Sequence, residues 1–566
     1  MNHTGTKKTR QTSGAFLCVL CASVVQPRPS FRFLLCAVLV VFAALPACKK
    51  ATLTTSSSEK TLRISQRNEP ADLDPATATL PDEFFVIRAL GEGLVTPAPI
   101  ENRNSKIENP PVLPAAATHW EISADQLTYT FHLRPNATWS NGAPVTTQDF
   151  LASYRRALTP ATAAPKVSLF FAVKNARAFA TGALTDFSAV GFSAPDPHTF
   201  VIKLEHPSPR FLLYVASGPW IPVHLPTIER HRRAWTQPAH HVGNGPFTLT
   251  EWRPHQRLVV SKNPRHHAAA DIHLDRLKFL AFDSGDSEER AFRAGQIDVT
   301  MSLPVSKVPV YEQNRSPELH RAPLAEARYL SLNTTRPPLN DPRVRRALSL
   351  ALDRATLVSR VLRGGEQPTA TLVHPNLYAA PAPAARTTPQ SFSTTEARAL
   401  LAAAGFSDPA SFPRLELSTW TNSPIVEAIQ AMWKSELGIE TSIVLREAKV
   451  HLTALESADY DIAFMTAIPD VPDAANLLET FTSDSAANYP HWVDSRFDEL
   501  LARAARTPDL PAQTTLLREA ESHLLAESPL IPLYFNARNW LMSPRVLNWQ
   551  TDLLWTRFYH HVDLAP

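Results

Sequence analysis

The sequence predicts an α/β protein built on more than one hydrophobic core, and three observations carry that expectation. At 566 residues the chain is too long for a single core. Charged residues make up 19% and hydrophobic ones 44%, the balance of a globular protein. Stretches that alternate apolar and polar residues repeatedly give way to stretches with a helix cap and one apolar helical face. Pro is abundant at 50 and Gly scarce at 16, so rigid, extended connections should outnumber flexible ones.

Residues 1–48 carry five basic residues (Lys7, Lys8, Arg10, Arg28, Arg32) and no acidic one. Taking these from the 56 Lys and Arg leaves 51 against 53 Asp and Glu, so the remaining chain has no basic excess and no nucleic-acid partner is expected. An apolar run from Phe33 to Leu45 ends in Leu45-Pro46-Ala47-Cys48. Such a pattern is a secretory signal, and the run is too short to cross a bilayer, which takes about 20 residues. An earlier apolar run, Ala15 to Val25, makes the leader long, as if it included residues upstream of the true start. All four cysteines (Cys18, Cys21, Cys36, Cys48) fall in this leader. The remainder therefore has no disulfide, catalytic thiol or cysteine-based metal site. Residues 49–60, KKATLTTSSSEK, read as a polar tether.

Thr61 to Ser65 reads as the first strand, followed by Asp72-Leu73-Asp74-Pro75 and a helix to Leu90. Leu127, Tyr129, Phe131 and Leu133 alternate with Thr128, Thr130 and His132, a strand with one buried face. Asn141-Gly142 is a turn, and Thr146 with Asp149 forms a capping box. Its helix puts Phe150, Leu151, Tyr154 and Leu158 on one face. Phe200, Ile202 and Leu204 mark another strand, and Leu258 to Asn263 a further one. Ser287 to Val299 reads as a helix with Gly295 past its stop, and Tyr329 to Thr334 as a strand. Asp341-Pro342 opens a long amphipathic helix over VRRALSLALDRATLVSRVL. Ser393-x-x-Glu396 caps a helix that ends at Gly405. Asp461 to Met465 is a short strand, Ile468 to Leu478 a Pro-rich loop, and Asp494 the cap of a helix bearing Phe497, Leu500 and Leu501. Pro532 to Asn536 is the last strand.

Several of these stretches together resemble the extracytoplasmic solute-binding proteins of peptide ABC importers (family 5). They are LTYTFHLRPNATWSNGAPVTTQDFLASYRRAL at 127–158, Val242-Gly243-Asn244-Gly245-Pro246-Phe247, and the run from Leu332-Asn333-Thr334 through Arg354. The resemblance covers roughly 61–560. It implies a two-lobed periplasmic-binding-protein fold with a hinge between the lobes. Lobe 1 would be 61–282 with 536–566, including an extra subdomain at about 95–215, and lobe 2 would be 283–535. The end of the leader resembles a lipobox, implying lipidation at Cys48 and a lipid anchor in the cell envelope. Lys49 after the Cys favours the outer membrane, where the source has one.

By the same resemblance the cargo is an oligopeptide, handed to a permease and ATPase complex by a monomeric receptor that is not an enzyme and needs no cofactor. Such receptors hold extended peptides by main-chain hydrogen bonds. A buried ammonium needs a carboxylate, and Asp470 matches the position that supplies it. Thr79, Pro81, Asn244, Phe464, Ala467, Pro469 and Tyr534 are the other ligand-site positions implied. Three of them depart from the family pattern: Ala467 stands where a Trp is usual, Phe464 where a basic residue sometimes is, and Thr79 where some members have an acid. The cargo could therefore also be a nickel-chelate, haem or an oligosaccharide, or the protein a sensor. Hydrolase chemistry lacks its residues: Gly191-x-Ser193 has Pro195 where a nucleophile elbow needs Gly, and no His-Glu-x-x-His occurs. His240, His241, His266, His267 and His273 match no ligand spacing and are expected at the surface.

Overall fold

The computed structural model describes residues 59–98, 112–379 and 392–565. Cys48 and the rest of the leader lie outside them. Glu59–Pro566 forms one compact unit, organised on three sheets.

The first strand, Thr61–Gln66, pairs in parallel with Arg276–Ala281, which continues antiparallel into Arg257–Lys262 and Phe247–Arg253. Its core holds Leu62, Ile64, Leu277 and Phe279, closed by Phe85, Val86 and Leu90 of the helix Pro81–Leu90. The second sheet orders Ala117–Ile122, Thr128–Leu133, Thr199–Lys203 and Phe192–Ser193, all antiparallel. Tyr129 faces Ile202 and Phe131 faces Phe200 across the ladder, and all four are buried, so the sequence alternation reports this face directly. The helix Thr147–Leu158 covers it with Phe150, Tyr154 and Leu158; the Thr146 amide donates to Asp149 at 2.7 Å, closing the expected box.

The third sheet has six strands: Gln367–Pro368, Leu530–Leu541, Leu319–Leu332, Ile462–Ala467, Leu415–Thr419 and Thr441–Leu445. Both faces are covered. Leu330, Ile462, Phe464 and Ile531 enter one core while Tyr329, Ala463, Met465 and Leu530 enter another. That double burial is why Ile462–Ala467 is almost wholly apolar rather than alternating.

Leu319–Leu332 and Leu530–Leu541 are the two longest strands, and they tie the lobes together. One end of this ribbon gives Leu330, Ile531 and Leu533 to the third sheet, while Ala322, Leu324 and Trp540 at the other end pack into the first sheet's core. Each lobe thus has its own core, and the same paired strands cross between them, the arrangement of a hinge.

Several boundaries differ from the sequence expectation. The helix expected over Ser287 to Val299 spans Gly285–Arg293, because Ser284 and not Ser287 supplies the cap, and Val299 instead bridges Ile64 and Met542. The long helix after Asp341 stops at Leu350; Asp353 caps a second segment, Arg354–Thr356, that continues as a π-helical stretch to Leu362. The strand expected from Tyr329 begins ten residues earlier, at Leu319. The Pro-rich loop contains a helix, Ala474–Leu478, capped by Asp473.

Candidate functional site

Five side chains meet between the lobes at one place. Lys166 sits at the entry to a short 3-10 turn, Val167–Phe170, whose Leu169 and Phe170 are buried and fix its position. Its Nζ meets the carboxylate of Asp470, on the loop after the strand Ile462–Ala467. Arg210 and Tyr214, at the start and within the helix Phe211–Val215, reach the same loop. Arg210 donates to the carbonyls of Leu377 (2.8 Å) and Pro472, with Asp473 at 3.5 Å, and the Tyr214 hydroxyl donates to Asp473 at 3.1 Å. Arg210 and Asp473 are both buried, and burial beside Asp473 pushes the Tyr214 phenol well above its ordinary range.

Beside these contacts lies a cavity of about 50 Å³, room for a few waters. Apolar walls come from Pro97, Leu213, Val471, Pro472, Leu553 and Leu554, and polar groups from Arg88, Asn376, Asp470 and Asp552. Arg88 has no ionic partner among the described residues and donates only to the Ala216 carbonyl, at 3.3 Å. Burial lowers its pKa, and Asp552 nearby partly offsets this. A second cavity of about 30 Å³ adjoins through Arg88, Ala216 and Ser217 and is lined by Arg557.

This two-lobed architecture with polar groups converging between the lobes has close parallels. Residues 111–489 match the model of bacterial extracellular solute-binding proteins, family 5. The chain belongs to that family. It is 31% identical over 514 residues to the probable deoxycholate-binding periplasmic protein YgiS of Escherichia coli, covering 90% of this chain and 94% of the relative. It is 30% identical over 518 residues to the periplasmic murein peptide-binding protein MppA of Escherichia coli, with the same coverage. The solved structure of Haemophilus influenzae OppA in complex with RPPGFSPFR superposes with a TM-score of 0.76 at 26% identity, over 90% of this chain and 99% of that one. These relatives are solute-binding proteins rather than enzymes.

In this family 5 protein the positions singled out in the sequence separate into four groups. Asp470 reaches the interlobe junction, with Pro469 buried beside it and Ala467 buried where its strand pairs with Ala327. Phe464 and Tyr534 are 2% and 5% exposed in the core of the six-stranded sheet, so neither offers surface to a cargo. Asn244 is a staple: its amide accepts from the Glu92 N–H at 2.9 Å and donates to the Glu92 carbonyl at 2.8 Å. Thr79 and Pro81 are exposed at the start of the helix Pro81–Leu90, where the Thr79 N–H donates to Glu83, and neither lines the cavity beside Asp470. Lys166, Arg210, Tyr214 and Arg88 carry no local sequence signal. They act through partners hundreds of residues away, such as the 304 residues between Lys166 and Asp470.

The histidines also depart from expectation. His266 is buried and His267, His240 and His241 are half-buried; only His273 is exposed among the five. The rings of His266 and His267 meet the Glu92 carboxylate at 2.5 and 2.9 Å, and they hold it well below the usual carboxylate range, at about 2, despite burial. Glu92, His266 and His267 are close enough to share a metal ion, as are His119, Glu121 and His132. In the first set, His266 Nδ1 accepts the Ala268 N–H at 3.3 Å, which puts the ring proton on Nε2, aimed at Glu92. That tautomer suits a carboxylate partner rather than a cation.

Proposed function

We propose that the protein is the cargo receptor of an ABC importer, closing its two lobes around an oligopeptide and delivering it to a permease and ATPase complex. The observation that carries this reading is the junction itself. Asp470, Arg210, Tyr214 and Asp473 converge between lobes joined by a two-stranded ribbon, in a chain whose relatives include peptide-binding proteins. Contacts available to both lobes only when they close make cargo binding and closure one equilibrium. The receptor acts as a monomer outside the cytoplasm, tethered through lipid on Cys48.

A second reading has its own observation. Arg88 has no ionic partner among the described residues, beside a cavity with apolar walls, which suits an amphipathic carboxylate. The relative YgiS is described by its name as probably deoxycholate-binding. Mass spectrometry of the natively purified protein separates the two. Retained species that fragment into amino-acid residue masses support the peptide reading, and a single non-peptide acid supports the other.

A further inference from the structure

Asp470 is where a peptide's ammonium would be met, and Lys166 already stands there. Its Nζ contacts Asp470 Oδ1, and the lysine and aspartate side chains are only 20% and 35% exposed. Neither partner is a loose surface group. The Asp470 backbone is pinned by its N–H to Asn476 Oδ1 at 2.8 Å. Lys166 is rooted by the Leu169 N–H, which donates to its carbonyl at 3.1 Å. A second ammonium brought to this one carboxylate would face Lys166 at contact range, like charge against like charge. The other acid lining the adjoining cavity, Asp552, already accepts the N–H groups of Leu554 (2.9 Å) and Thr556 (2.7 Å) through Oδ1 and faces Arg88.

We infer that Lys166 is a specificity-determining residue that takes the place of the cargo's ammonium, so that the receptor selects solutes with no free amino group at Asp470. Blocked or side-chain-linked peptides, and other solutes lacking an ammonium there, meet a neutral pair and keep their main-chain hydrogen bonds. Free amino termini must displace Lys166. The inference rests on the cargo reading above for its peptide probes, but its central element is the pair itself.

The test is calorimetry of Ala-Ala-Ala and N-acetyl-Ala-Ala-Ala on the wild type and on Lys166→Met, which keeps the length of the side chain and removes its charge. The wild type should hold the acetylated peptide at least as tightly as the free one. Lys166→Met, with Asp470 released, should shift the preference toward the free peptide by about tenfold or more. Lys166→Gln serves the same purpose if the Met variant fails to fold. A wild type that favours the free peptide by tenfold, or a variant whose ratio does not move, overturns the inference, and so does the absence of any free-peptide gain in both variants. If the wild type binds neither peptide while Lys166→Met gains the free one, the inference stands and the peptide-cargo reading fails.

Discussion

At the scale of single residues, burial decides which polar groups can work and which only hold the fold. His374 is buried against Phe535, its Nδ1 accepting the Asn376 N–H at 3.2 Å, and burial lowers its pKa to about 4 from the ordinary 6.5. Between these values the unfolded chain takes up a proton that the folded chain does not. Stability is therefore complete above about pH 7 and is lost as pH falls from 6.5 toward 4, by up to about 3 kcal/mol for this group. His241 and His560, also lowered by burial to about 4, add in the same direction. Denaturation series at pH 4.5 and pH 7.5 should show the wild type losing stability in acid. His374→Asn, which keeps an acceptor for Asn376 but cannot titrate, should lose less. Equal losses would remove His374 from the account. The sequence singles out Asp470 because its loop matches a known pattern; it gives no sign of Lys166, because an ion pair between residues 166 and 470 leaves no local trace. Asn244 was legible as part of a motif but misread as a ligand contact, since a turn motif does not say whether its amide points to cargo or to backbone.

At the scale of elements, caps and alternation were readable wherever one face alone is buried. Thr128–Leu133, Thr199–Lys203 and the helix after Thr146 follow from their sequences for that reason. The helix Leu510–Glu527 did not, because its buried face mixes Leu517 and Leu524 with Gln513, Thr514 and Glu521. Glu521 is there to accept the N–H groups of Leu372 (3.0 Å) and Val373 (2.8 Å) and the Tyr378 hydroxyl (2.7 Å), a tertiary role that erases the apolar stripe. Leu319–Leu332 was half hidden because register shifts near Pro323 break its alternation. The helix Pro424–Leu437 ends at Gly438 with φ +73°, the left-handed C-terminal position that favours glycine. A Cβ there would lie 2.8 Å from the Pro409 ring. Gly438→Ala should therefore cost about 1–3 kcal/mol in urea unfolding, strain and contact together. An unchanged midpoint would show that the end of this helix relaxes freely.

At the scale of the whole molecule, the ribbon of Leu319–Leu332 and Leu530–Leu541 joins two separately packed lobes, since its ends belong to different cores, and its ladder breaks between Pro323 and Ala327, where the Asn536 amide donates to Glu326 at 3.0 Å. The two-lobed α/β plan was legible from the family resemblance. The closing contacts were not, because Arg210, Tyr214 and Lys166 come from one lobe and Leu377 and the 470–473 loop from the other. Those contacts make the proposed closure around cargo measurable. Hydrogen exchange with and without saturating cargo, identified by the native mass spectra, tests this most directly. Protection should appear together at 165–170, 210–217, 376–377, 468–476 and 552–556, the segments that meet between the lobes, and leave the outer faces of the sheets unchanged. Protection confined to a single lobe, or none with cargo bound, would contradict a receptor that takes its solute between them.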